Sequence, residues 1–223
     1  MKLLKSFLFY LKKPELSDPV SLTFKQSINL LINSIPIYFI FIFCFVILFI
    51  PLAIFDLIPE LPPRQLSDIK WIIVFGPVIE ELIFRLPLRN FFKNIFIALA
   101  LGFYALGKSH LGIGLSIALG IVILLLPYIP GFISRFEDAI NNFIKKYFVL
   151  FFYLIAVIFG FMHITNLETI RTSDILFSPV IVAYQLFLGL YLGFIRIKYK
   201  GGIFYAILLH AFFNSIPVMV KLL

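Results

Sequence analysis

Two adjacent acids, Glu80 and Glu81, stand in the segment Gly76-Pro-Val-Ile-Glu-Glu-Leu-Ile-Phe-Arg85, which is apolar but for them and Arg85. A carboxylate in hydrocarbon costs at least about 2.5 kcal/mol even on the lenient insertion scale, so the pair needs a reason to be there. On a helix Glu81 and Arg85 fall at i and i+4 with the acid N-terminal to the base, the favourable order for an ion pair. Glu80 then points about 100° away and is free to face a cavity. Pro77 releases a backbone carbonyl of the preceding turn and can kink the helix where space is wanted. The plainer reading is that both acids pair with bases and merely hold a bundle together. Further along, Phe159-Gly-Phe-Met-His163 and His210-Ala-Phe-Phe-Asn214 each place their end residues on one helix face, a turn apart. A spare carboxylate, two imidazoles and a carboxamide are a base, a partner for it and two neutral donors. Those are the parts needed to add water to a carbonyl.

These residues resemble the CPBP family of intramembrane proteases, which includes the type II CAAX prenyl endopeptidases and proteins linked to bacteriocin immunity. Glu80-Glu81-Leu-Ile-Phe-Arg85 is similar to that family's EExxxR motif, Phe159 to His163 to its FxxxH motif, and His210 to Asn214 to its HxxxN motif, in the same order. The resemblance implies a peptidase working inside the bilayer. Glu80 would be the general base that activates water and later passes the proton to the leaving amine, with His163 helping to hold it. His210 and Asn214 would donate to the oxyanion, and Glu81, Arg85 and Phe159 would support them. No metal is required by this scheme. Zinc on the two histidines and the glutamates is the alternative, although there is no HExxH and an asparagine suits an oxyanion better than zinc.

The elements that must carry these residues are set by composition. Of 223 residues 62% are apolar and 13% charged, so the chain cannot hide its apolar surface within one water-exposed globule and must dissolve in lipid. A lone cysteine, Cys44, excludes a disulfide framework and a thiolate metal cluster. Ile35 to Phe55 runs without a charge for about 31 Å at the helical rise, one hydrocarbon thickness. Further spans are predicted at Trp71–Leu88, Ile95–Leu106, Leu111–Ile129, Tyr147–His163, Ile175–Ile195 and Ile203–Val220. The expectation is therefore an all-α, polytopic transmembrane helix bundle of about seven spans. Residues 1–26 form an amphipathic basic segment suited to an anionic membrane surface, and 27–223 a single domain carrying the protease core.

Placing the N-terminus in the cytoplasm puts fourteen of the 19 basic residues inside: Lys2, Lys5, Lys12, Lys13 and Lys25, then Arg85, Arg89 and Lys93, then Arg135, Lys145 and Lys146, then Arg196, Lys198 and Lys200. Arg64, Lys70, Lys108, Arg171 and Lys221 are left outside. This asymmetry fits an odd number of crossings in a cytoplasmic membrane and accounts for the net charge of +8 without a nucleic-acid partner. Pro62–Pro63 marks an exterior loop and Gly201–Gly202 a tight interior turn.

Glu80 and His163 lie 83 residues apart, and the intervening Ile95–Ile129 reads as an inserted two-helix hairpin that preserves the direction of the His163 helix. His110 has Leu106 at the phenylalanine position and reads as a loop or interfacial residue. Depth poses a problem. Counted from the interior basic ends, Glu80 is about 13 Å above Arg89 and His210 about 15 Å above Lys200, but His163 is about 25 Å above Lys146. The three meet only if the stretch from Lys146 to Phe152 lies in the interface or its helix is tilted. The expected partners are membrane lipids and a peptide or lipidated-peptide substrate. Two other functions compete: a non-catalytic membrane chaperone or bacteriocin-immunity factor of the same fold, and a proton-coupled transporter, which would more often show inverted repeats.

Overall fold

A computed structural model describes residues 2–59, 68–107, 112–129 and 134–222. His110 and Pro62–Pro63 lie outside these residues. Within them the chain is helical, and the sole ladder-like contact is a bridge between Val20 and Tyr199. The helices are α1 (Lys2–Lys12), α2 (Phe24–Ile54), α3 (Gly76–Phe84), α4 (Phe91–Gly107), α5 (Ile113–Leu125), α6 (Ser134–Lys146), α7 (Phe148–Met162), α8 (Thr172–Leu176), α9 (Ser178–Ile181), α10 (Ala183–Lys198) and α11 (Gly202–Leu222). It is an all-α membrane bundle. Among the described residues, three stretches are long and apolar enough to cross a bilayer, Phe24–Ile54, Phe148–Asn166 and Gly202–Met219. The remaining expected spans are shorter elements, broken by turns or carrying the charges described below.

Helix α2 starts earlier than its first apolar run because Thr23 caps it, accepting from the Gln26 backbone while the Gln26 side chain accepts from that of Thr23. One face of α2 stays uncovered, with Phe39, Phe43, Val46, Ile47, Ile50 and Ile54 exposed at helical spacing, as a lipid-facing stripe should be. The centre of the bundle is α10, where Leu188, Tyr191, Leu192, Phe194, Ile195 and Ile197 are all buried. It packs against α7, α11, α2 and α1. Close approach of α7 and α10 depends on Gly189 and Gly193. A methyl on Gly189 would lie 3.1 Å from the Phe159 ring, and one on Gly193 2.9 Å from the Phe152 ring. Helix α1 presses Phe7 into this core, in ring contact with Tyr191, Phe41 and Phe194, and leaves Lys5, Lys12 and Lys13 exposed.

The stretch predicted as one span over Ile175–Ile195 is instead three helical pieces, broken at Phe177 and Val182. Pro179 has no N–H to give the Ile175 carbonyl, and the Ser178 hydroxyl donates to that carbonyl at 2.7 Å instead. The same repair occurs in α11. Pro217 leaves the Phe213 carbonyl open, and the Tyr38 hydroxyl of α2 donates to it at 3.4 Å. In lipid, where water cannot fill the vacancy, such substitutes allow a helix to contain proline. Gly201, at φ +71°, makes the expected tight turn into α11. The inserted hairpin is α4 and α5, with α5 packed chiefly on α4.

Candidate active site

Three separate elements bring the polar residues together. Helix α3 carries Glu80 and Glu81, the end of α7 carries Phe159 and leads into a 3-10 turn starting at His163, and α11 carries His210 and Asn214. The depth problem is resolved by where α7 meets the basic end. Tyr10 of α1 rests on Phe152 with ring centroids 5.4 Å apart, the Tyr153 hydroxyl donates to the Leu11 carbonyl, and Phe91 sits 5.0 Å from Phe151. The basic N-terminal helix α1 therefore meets α7 near residue 152 and not at Lys146, which belongs to the separate amphipathic helix α6. From Tyr153 the rise to His163 is about 15 Å, equal to that of His210 above Lys200.

Glu80 Oε2 lies 3.8 Å from His163 Nε2 and 3.7 Å from His210 Nε2. Both separations are too long for direct hydrogen bonds. This oxygen is buried and has no hydrogen-bond partner within the protein. His163 Nδ1 is 2.8 Å from the Phe159 carbonyl, which can only accept, so Nδ1 carries a hydrogen and a neutral ring turns its Nε2 lone pair toward Glu80.

Glu81 plays a different part from its neighbour. It is wholly buried, 3.3 Å from Arg85 across the expected i, i+4 ion pair, and its Oε1 also accepts from His210 Nδ1 at 2.9 Å. The second of these contacts was not visible from spacing. The Arg85 guanidinium lies 3.7 Å above the centre of the Phe159 ring, a cation–π contact in a desolvated place. Both imidazoles make T-shaped contacts with the same ring, at centroid distances of 4.8 Å for His163 and 5.9 Å for His210. Phe159 thus touches Arg85, His163 and His210 at once. Arg196 closes the bottom of α3, donating to the carbonyls of Arg85 and Leu86.

Asn214 stands one turn beyond His210, and its Nδ2 donates to the Ile72 carbonyl at 3.1 Å. Ile72 belongs to a short π-helical turn, Trp71–Phe75, that runs into α3. The sequence reading missed this turn, and also the Gly189 and Gly193 contacts. The signals were present as Gly76-Pro77 and as a G-x-x-x-G pattern. Among the described residues no three His, Cys, Asp or Glu side chains are grouped as a metal site.

Residues 62–216, more than half of the chain, match the family of type II CAAX prenyl endopeptidase Rce1-like proteins. The chain belongs to this family, and is an integral membrane protein of the protease class. All three motifs fall within the matched region, which excludes α1 and α2. No curated protein and no solved structure matches the chain.

Proposed function

We propose that this chain is an intramembrane endopeptidase that hydrolyses a peptide bond of a membrane-associated substrate with water activated by Glu80. The reading is carried by one observation, the buried and unpartnered Glu80 oxygen held between two imidazole Nε2 atoms at 3.7 and 3.8 Å. Water placed there gives one hydrogen to Glu80 and one to the His163 lone pair, and turns its own lone pair to the substrate carbonyl. Glu80 takes the proton as the C–O bond forms and delivers it to the leaving amine as the C–N bond breaks.

His210 and Asn214 stabilise the oxyanion. The His210 Nδ1 hydrogen is already given to Glu81, so a neutral ring has no second hydrogen for the substrate. Donation from Nε2 to the oxyanion requires a hydrogen on both ring nitrogens of His210. Removing one oxyanion donor typically costs about 3 kcal/mol of barrier, or roughly a hundredfold in rate. We further place the N-terminus on the cytoplasmic side. Lys198 reaches Ser6, and Arg89 reaches the Ser17 and Ile197 carbonyls, so the residues counted as interior share one end of the bundle.

The test is cleavage of a membrane-embedded peptide library by the purified chain in proteoliposomes, wild type beside Glu80→Gln. Product from the wild type alone is expected. Equal product from both removes Glu80 as the base.

A further inference from the structure

We infer that Ile72, Gly76 and Pro77 form a positioning device that keeps one backbone carbonyl open so that it can orient the Asn214 amide. The inference rests on the role given to Asn214 above. A carbonyl inside a membrane helix is normally taken by the N–H four residues later, and Ile72 would be taken by Gly76. Here the Gly76 N–H goes to Trp71 instead, five residues back. In that widened register the Ile72 carbonyl would next be taken by residue 77, but residue 77 is proline and has no N–H. An α register would close this carbonyl with Gly76, and a π register with any residue except proline would close it with residue 77. The combination found here leaves it open, and Asn214 Nδ2 occupies it from α11.

Residue 76 is bound into the same arrangement. A methyl group there would stand 2.9 Å from the Trp71 carbonyl oxygen, the atom that the π turn brings close, and 3.7 Å from Glu80 Oε1. Only glycine allows the turn to form beneath Glu80 without displacing backbone.

The chemical consequence lies in the symmetry of a carboxamide. Its two ends have nearly the same shape, and the wrong end would present an oxygen to a developing oxyanion. A carbonyl accepts and never donates, so Ile72 selects the NH2 end of Asn214 and leaves that group's second N–H for the substrate. Single-turn π bulges are frequent at functional sites, and this one leaves the Ile72 carbonyl to Asn214.

The experiment is a double-mutant cycle of Pro77→Ala and Asn214→Ala on the full chain, read by thermal unfolding and, with the peptide cleaved by the wild type, by kcat and KM. Alone, Asn214→Ala strands the Ile72 carbonyl and should lower Tm by about 2–4 °C. In the Pro77→Ala background, where helix N–H groups close that carbonyl, the same change should leave Tm unaltered. Pro77→Ala should keep or raise Tm, since alanine is the better helix former, and yet lower kcat about tenfold with KM unchanged. Equal Tm losses in both backgrounds overturn the pairing. Tm coupling with full kcat in Pro77→Ala, while Asn214→Ala loses activity, overturns the positioning role. Full kcat in Asn214→Ala overturns the oxyanion assignment instead, and the Tm cycle still decides whether the carbonyl is held open for this amide.

Discussion

Two neighbouring glutamates should respond in opposite ways to the same substitution. Glu81→Gln removes the charge that faces Arg85 at 3.3 Å and turns an acceptor shared with His210 into a group able to present an N–H to it. Glu81 and Arg85 are both essentially unexposed, so the guanidinium left behind has neither water nor counter-ion. Breaking one side of a buried pair costs about 3–5 kcal/mol. For a chain of this size that lowers Tm by roughly 6–20 °C. Glu80 has a 34% exposed side chain and no protein hydrogen bond at Oε2, so Glu80→Gln removes nothing that the fold uses. Its stability should stay within about 0.5 kcal/mol of wild type, whereas loss of a general base lowers the rate by about a hundred- to ten-thousandfold. Thermal unfolding in detergent measures the first effect and peptide cleavage in proteoliposomes the second. A Glu80→Gln protein that melts as early as Glu81→Gln, or a Glu81→Gln protein with unchanged Tm, would refute this division of labour.

Arg85→Ala should behave like Glu81→Gln and reduce the yield of folded protein, measured as the monodisperse fraction after purification, because Glu81 loses its counter-ion and the Phe159 ring its cation. Gly202→Ala places a methyl 2.5 Å from the Ile195 carbonyl oxygen and 2.8 Å from the Arg196 Cα, backbone that cannot step aside, so Tm should fall by several degrees. Elemental analysis of the purified chain, paired with chelator treatment, should find activity independent of zinc; stoichiometric zinc whose removal abolishes cleavage would replace the glutamate mechanism. With Cys44 changed to serine, single cysteines at Lys12 and Lys70 should label from opposite sides of the membrane, Lys12 from the cytoplasm.

Much of the site could be read from spacing. Glu81 with Arg85, Phe159 with His163, and His210 with Asn214 are each one helical turn apart, and the period of an α-helix puts each pair on one face whatever the tertiary fold. Which imidazole would meet which carboxylate could not be read, because it depends on how α3, α7 and α11 are rotated about their axes. Depth misled for a related reason. Lys146 looked like the interior end of a span, yet it closes amphipathic α6, and ring contacts of Phe151 and Phe152 mark the level instead.

The sequence by itself determined that this chain lives in lipid, that its charges are asymmetric along the spans, and that ionisable or amide-bearing side chains occur in three helical pairs. Those properties follow from transfer free energy and from a local repeat, neither of which needs a partner helix. Tertiary structure decided that Glu80 lies open between two imidazoles while Glu81 is locked to Arg85 and His210, and that Asn214 reaches a carbonyl 142 residues away. A hydrogen bond acts over about 3 Å and has a direction, so its partners are chosen by how helices dock and turn, which no periodicity records.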